Sequence, residues 1–222
     1  MYDKSRFKLL SKEIAALSQQ IYAKDWVPAT SGNFSARIDE RYCAVTASGV
    51  HKGQLNEQDV LVVDFKGQVV DGSLRRPSAE TALHTQLYAR NLEIAAVLHT
   101  HDMNAVLASQ LLAEHLSDRS PACIEIANME MLKAFSGINT HESRVCIPVF
   151  ENTQDIAALA IMVDNYMNAN GPIPAYLIKG HGLYTWGRDL AEAMRHLEAM
   201  NYLLGLLLRL NGCRSSGKGL RS

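Results

Sequence analysis

Residues 95–101 read Ala95-Ala96-Val97-Leu98-His99-Thr100-His101, an apolar run that ends in two histidines spaced i, i+2. A run of this kind predicts a buried strand, and residues i and i+2 of a strand point to one face of the sheet. Two imidazoles so placed at a strand end suit a chelated divalent cation. A third histidine, His181, stands between glycines in Ile178-Lys179-Gly180-His181-Gly182, where small residues let backbone approach a site closely. A lone histidine would read as a hydrogen-bonded structural residue, whereas the pair together with His181 favours metal. A cation on neutral imidazoles can polarise a substrate carbonyl and stabilise an enediolate.

Outward from this strand, Pro77-Ser78-Ala79-Glu80 predicts a helix running to about residue 90, with Ser78 as N-cap and Glu80 in the first turn. On the other side a helix is expected over 103–114. Apolar spacing predicts an opening helix over 7–24, a hairpin of strands 34–38 and 42–46, and a strand over 60–64 followed by a turn at Gly67 and Val69-Val70. Further on come a short helix at 129–135, a strand at 145–150, a helix at 155–168 and strands at 175–178 and 183–186. The last helix, 189–210, carries Leu203-Leu204-Gly205-Leu206-Leu207-Leu208, apolar almost all round, an end that an oligomer interface would bury. Helices interleave with strands, yet several strands follow one another through short hairpins. An α/β chain with a mixed or antiparallel sheet covered by helices follows. No Gly-x-Gly-x-x-Gly follows a first strand and no Walker lysine motif occurs, which disfavours dinucleotide and P-loop folds.

At 222 residues and 47% hydrophobic content, the chain can form one domain, expected over 1–213, that buries roughly 70% of its unfolded surface. Residues 214–222, polar and glycine-rich, read as a flexible tail. A formal charge of −1 argues against nucleic acid as a partner. Without an apolar leader or an 18-residue apolar span, no membrane contact is expected, and the location expected is cytoplasmic. Cys43, Cys123, Cys146 and Cys213 show no Cys-x-x-Cys spacing and read as incidental thiols of a reducing compartment, not a disulfide framework.

Two small-residue loops, Thr30-Ser31-Gly32-Asn33 and Thr46-Ala47-Ser48-Gly49-Val50-His51-Lys52, offer hydroxyls, backbone N–H groups and a cation. Singly each is an ordinary turn. Together with Ser78 at a helix start they suggest a phosphate site of Ser31, Gly32, Asn33, Ser48, Gly49, Lys52 and Ser78. Glu80 and Glu130 are candidate acid/base carboxylates. Glu130 is the sharper one, because desolvation in Met129-Glu130-Met131-Leu132 would raise its pKa. His51, His84, His115, His141 and His196 have no comparable setting and read as surface or packing residues.

Ser31-Gly32-Asn33, Thr46-Ala47-Ser48-Gly49, Pro77-Ser78-Ala79-Glu80, His99-Thr100-His101 and Gly180-His181-Gly182 occur in an order and spacing that resemble the class II aldolase and adducin family over nearly the whole chain. The resemblance implies a three-layer αβα fold around a mixed, largely antiparallel sheet. It also implies one Zn2+, or a similar divalent cation, per subunit on His99, His101 and His181, in a homotetramer with sites at subunit boundaries. Glu80 is a metal ligand in aldolase relatives, while some dehydratases carry another residue there, so its ligation here stays open. Ala79 stands where aldolases commonly have a second serine. Trp26-Val27-Pro28, Met129-Glu130-Met131-Leu132-Lys133 and Tyr184-Thr185-Trp186-Gly187 resemble a dehydratase branch, implying water loss from a methylthio-bearing ketose phosphate with Glu130 as acid/base residue. The alternatives are an aldolase or 4-epimerase acting on a ketose phosphate, and an adducin-like binding module without metal, against which the three histidines speak. Met103, Phe135 or Tyr184 could line a pocket for the thioether.

Overall fold

A computed structural model of the chain describes residues 1–114 and 121–218, with side chains to residue 213. His115 therefore lies outside the described residues, as do residues 219–222 of the expected tail.

Eight strands form one sheet: β1 (Asn33–Arg37), β2 (Tyr42–Thr46), β3 (Val60–Asp64), β4 (Ala96–Thr100), β5 (Ala122–Ala127), β6 (Arg144–Phe150), β7 (Ala175–Ile178) and β8 (Gly182–Gly187). Their order is β3-β2-β1-β4-β8-β7-β6-β5. Every pairing in this order is antiparallel except β6 with β7. A parallel pair needs a crossover, and α4 (Ile156–Asn170) provides it.

The other helices are α1 (Lys4–Tyr22), α2 (Thr81–Arg90), α3 (Met103–Leu111) and α5 (Leu190–Lys218). Strand alternation sorts them into layers. On β3, Val60 and Val62 join the core that holds Leu10 and Ile14 of α1, Ala105 and Ala108 of α3 and Leu197 of α5. Leu61 and Val63 point to the other core, with Leu83 and Leu87 of α2 and Leu159 and Val163 of α4. The result is three layers, αβα, around a largely antiparallel sheet. None of the described helices is long and apolar enough to cross a membrane.

Most expected elements stand within a few residues of their predicted bounds, but four readings need correction. Strand β5 was not anticipated, because Ala-Cys-Ile-Glu-Ile-Ala has little β-branched content; its pairing with β6 supplies the stability its own propensity lacks. Ser78 does not cap α2: Glu80 occupies the N-cap position, and the Ser78 hydroxyl accepts from the Glu80 backbone N–H within the preceding turn. Helix α5 runs past residue 210 into the segment read as a tail, ending at Lys218. Cys123 and Cys146 are joined as a disulfide between β5 and β6, with Cα atoms 5.8 Å apart, while Cys43 is a buried free thiol. Their separation of 23 residues hides a pairing that only the strand register creates.

β8 approaches β4 closely at Gly182, where a Cβ would stand 2.0 Å from the Thr100 carbonyl oxygen. Gly182→Ala is expected to cost about 3 kcal/mol, the upper part of the usual overpacking range, and so roughly 6–12 °C in Tm for a chain of this size. An unchanged melting curve by circular dichroism would contradict this account of the β4–β8 contact.

Candidate active site

β4 delivers His99 at its penultimate position, and His101 follows just beyond the strand, its backbone N–H donating to the Trp26 carbonyl. The turn between β7 and β8 brings His181 in: Gly180 adopts φ +64° there, and the His181 N–H donates to the Ile178 carbonyl. Glu80 reaches in from the start of α2. Ligand atoms of Glu80, His99, His101 and His181 all lie within 4.8 Å of one another. His101 Nε2 is 2.9 Å from His99 Nε2 and 3.1 Å from His181 Nε2. Glu80 carboxylate oxygens lie 3.0 Å from His181 Nε2 and 3.5 Å from His99 Nε2. Tetrahedral ligands with bonds of about 2.0–2.1 Å stand about 3.3 Å apart, so the four donors fit one small divalent ion.

The tautomer suits that use. His99 Nδ1 lies 3.0 Å from the Leu183 carbonyl and donates to it, which leaves the Nε2 lone pair facing the cluster. The ring also stacks on Tyr184, its cross-strand neighbour on β8, at 4.1 Å. Burial pushes the His99 imidazole well below its ordinary range, with His101 and His181 adding to the effect against Glu80. Burial, then His181, hold His101 down to about 4. Burial alone would raise the Glu80 carboxyl, but His181, His99 and Asn33 outweigh it and hold it below the usual carboxylate range. Neutral imidazoles and an ionised carboxylate can accept a cation without first losing protons.

The three segments expected to cradle phosphate do meet. Ala47 bridges Pro77, the Ser48 N–H donates to the Arg76 carbonyl, and Lys52 Nζ donates to the carbonyls of Thr30 and Val50. Lys52 is buried without a carboxylate partner among the described residues, and burial lowers its ammonium to about 8. Gly49 has open space where a Cβ would be, whereas at Gly32 a Cβ would meet Val27 and the His99 carbonyl, so Gly32 also serves to seat the loop on β4. Asn33 faces the Glu80–histidine cluster: its Nδ2 donates to Glu80 at 2.7 Å and lies 3.3 Å from the Ser78 hydroxyl. The Ser31 hydroxyl donates to the Pro28 carbonyl.

Glu130 is placed otherwise than its neighbours suggested. It lies on the 3-10 turn Glu130–Ala134 with its side chain 71% exposed, paired with Lys133 and 3.9 Å from His141. Leu132 is buried and Met129 packs on the core, so the apolar residues turn inward while Glu130 faces solvent. The hydrogen bond from Lys133 lowers its carboxyl, the reverse of the rise expected from sequence. Of the residues considered for the thioether, Phe135 and Tyr184 sit in opposite cores, and Met103 is exposed beside His101. His84, read as surface or packing, is fully buried and joined to Asn33. Its signal was available: i, i+4 from Glu80 on one helix, it shares that residue's face.

The sequence matches the Class II Aldolase and Adducin N-terminal domain over residues 12–208. The chain belongs to this family, whose aldolases depend on a divalent metal. It is 43% identical to a methylthioribulose-1-phosphate dehydratase of Hahella chejuensis over 97% of this chain and all of that one. To the enzyme of that name from Xanthomonas oryzae pv. oryzae it is 49% identical, covering 96% and 92%. Among solved structures, an L-fuculose 1-phosphate aldolase superposes with a TM-score of 0.75 at 22% identity over 95% of this chain and 89% of that chain. The L-fuculose-1-phosphate aldolase of Thermus thermophilus gives 0.69 at 22% identity over 96% and 99%. Those two establish the fold.

His84 and His101 titrate near 6.5 when unfolded and near 4 when folded, His84 chiefly through burial. Between these values the unfolded chain binds more protons, so stability rises with pH. Metal-free protein is therefore expected to lose stability as pH falls from about 6.5 to about 4, with Glu80 adding to the loss at still lower pH. Urea midpoints measured across that window in the presence of a chelator test this; a flat profile would refute it.

Proposed function

We propose that the chain is a metal-dependent hydro-lyase that converts 5-methylthioribulose 1-phosphate to 2,3-diketo-5-methylthiopentyl 1-phosphate and water, a step of methionine salvage. One observation carries this reading: relatives named methylthioribulose-1-phosphate dehydratase are 42–49% identical over nearly the whole chain. The four convergent donors supply a site at which such chemistry can occur.

Three imidazoles and a carboxylate suit zinc, and we assign one Zn2+ per subunit to His99, His101, His181 and Glu80. Bound there, the ion supplies Lewis acidity beside a substrate carbonyl. The chain's own residues hold the substrate and move its protons. Lys52, Ser31, Gly32, Asn33, Ser48, Gly49 and Ser78 border the side of the centre on which the phosphate is placed. The Lys52 ammonium, which spends two hydrogens on carbonyls, keeps a third for an anion.

Glu130 begins as a proton acceptor, because Lys133 keeps it ionised. It takes the C3 proton. The neutral carboxyl so formed gives that proton to the C4 hydroxyl, which leaves as water, and the enol left between C3 and C4 becomes the ketone. Exposure of Glu130 on the single chain supports a homotetramer in which neighbouring subunits close over each site. Met103, Leu107 and Leu111, spaced i, i+4, i+8 along α3 directly after His101, are the exposed apolar face that such packing would cover. A phosphorylated substrate does not cross bilayers unaided, which supports a cytoplasmic location.

Purified protein given 5-methylthioribulose 1-phosphate, fuculose 1-phosphate and ribulose 5-phosphate in parallel is expected to form diketone from the first alone. Aldol cleavage or epimerisation without dehydration would overturn the assignment. Glu130→Gln is expected to lower kcat by roughly 10²–10⁴-fold with metal content unchanged; near-normal turnover would remove Glu130 from the reaction.

A further inference from the structure

A chain of polar side chains runs away from the metal centre into the core between β1 and α2. Asn33, the first residue of β1, is held at both ends of its amide. Its Nδ2 donates to Glu80 Oε2 at 2.7 Å, and its Oδ1 meets His84 Nε2 in a short hydrogen bond. Behind the imidazole, His84 Nδ1 lies 2.8 Å from the Ser35 hydroxyl, which lies 2.7 Å from the Tyr88 hydroxyl. Ser35, His84 and Tyr88 are wholly buried, and Asn33 nearly so.

Burial and the acceptor at the far end fix the direction of every donor. Glu80 is ionised and only accepts, so the Asn33 NH2 must face it and the Asn33 carbonyl must face His84. Such a carbonyl accepts only from a ring N–H, so the proton sits on His84 Nε2, and Nδ1 accepts from Ser35. The Ser35 oxygen then accepts a hydrogen bond from the Tyr88 hydroxyl. Flipping the Asn33 amide would set its carbonyl against the Glu80 carboxylate, a repulsive contact in a site of low dielectric.

We propose that His84 is a positioning residue of the metal centre: through Asn33, whose amide it holds in one orientation, it sets the Glu80 carboxylate that faces the three histidines. The inference rests on the reading of Glu80 as part of that centre. It does not depend on which ketose phosphate is the substrate. Glu80 and His84 lie one turn apart on α2 and grip the same Asn33, so α2 and β1 cannot shift independently without moving Glu80. A purely structural role has its own observable: the His84 ring also packs edge-on against Tyr184 at 5.7 Å, and Tyr184 stacks beneath His99.

A double-mutant cycle on the full chain separates the two roles, read by Co2+ affinity in competition with a chelator, by the Co2+ absorption spectrum, and by kcat and KM. His84→Phe keeps an aromatic ring against Tyr184 and removes the donor. It is expected to weaken Co2+ binding roughly 10–100-fold, the usual effect of losing a partner behind a metal ligand, to alter the spectrum, and to lower kcat more than KM rises. His84→Gln, which can still donate to Asn33, is expected to recover most of the affinity. In an Asn33→Ala background, His84→Phe should cause no further loss. Unchanged Co2+ affinity in folded His84→Phe, or an equal loss with and without Asn33, would overturn the proposal. Should His84→Phe not fold, Ser35→Ala decides: it frees Nδ1 and is expected to weaken Co2+ binding, and unchanged affinity would overturn the proposal. Co2+ affinities that follow the cycle in a protein inactive on 5-methylthioribulose 1-phosphate would uphold this inference while refuting the proposed function.

Discussion

The close contact of β8 with β4 at Gly182 is the constraint on which the site depends. Two antiparallel strands can bring a histidine pair and a distant third histidine together only if the turn before β8 carries its backbone to within touching distance of Thr100. Gly180 supplies the left-handed turn and Gly182 the missing side chain, so His181 is presented without a bulky neighbour on either side. The same contact lets the Leu183 carbonyl accept from His99 Nδ1, which fixes which nitrogen faces the cluster. Central placement in the sheet makes the arrangement rigid. β4 has β1 on one side and β8 on the other, and both sheet faces are covered by helices.

Electrostatics make that geometry a candidate cation site. The Nε2 atoms of three histidines converge, and one ionised carboxylate is the only negative group among the four donors. Holding imidazoles and a carboxylate together in a largely buried place costs stability that a cation bound there would return. Lys52 continues the pattern. Its buried ammonium donates to the carbonyls of Thr30 and Val50 and has no carboxylate partner among the described residues.

The exposure of Glu130 and the partners of His84 were not legible in the sequence, for opposite reasons. Around Glu130 the apolar neighbours are real, but a 3-10 turn sends Met129 and Leu132 inward and leaves the carboxylate outside, so local composition did not report local burial. Around His84 nothing local is unusual. Its significance comes from Asn33, 51 residues earlier, which β1 brings beneath the start of α2. β5 and the Cys123–Cys146 link went unread for the same reason, since each depends on β6 as a partner more than on its own sequence.

The sequence by itself determined the strand ending in His99-Thr100-His101, the glycine-flanked His181, the small-residue loops, the family and the alternation of strands and helices. Each of these is a matter of periodicity, turn chemistry or short-range spacing, which a chain carries locally. Tertiary structure alone decided that Glu80 joins the three histidines, that Asn33 turns toward them, that Lys52 is buried between two loops, and that Glu130 stands outside. Those outcomes depend on which side chains meet across strands and layers, and on how burial and neighbouring charges then set their protonation, information present in no single segment.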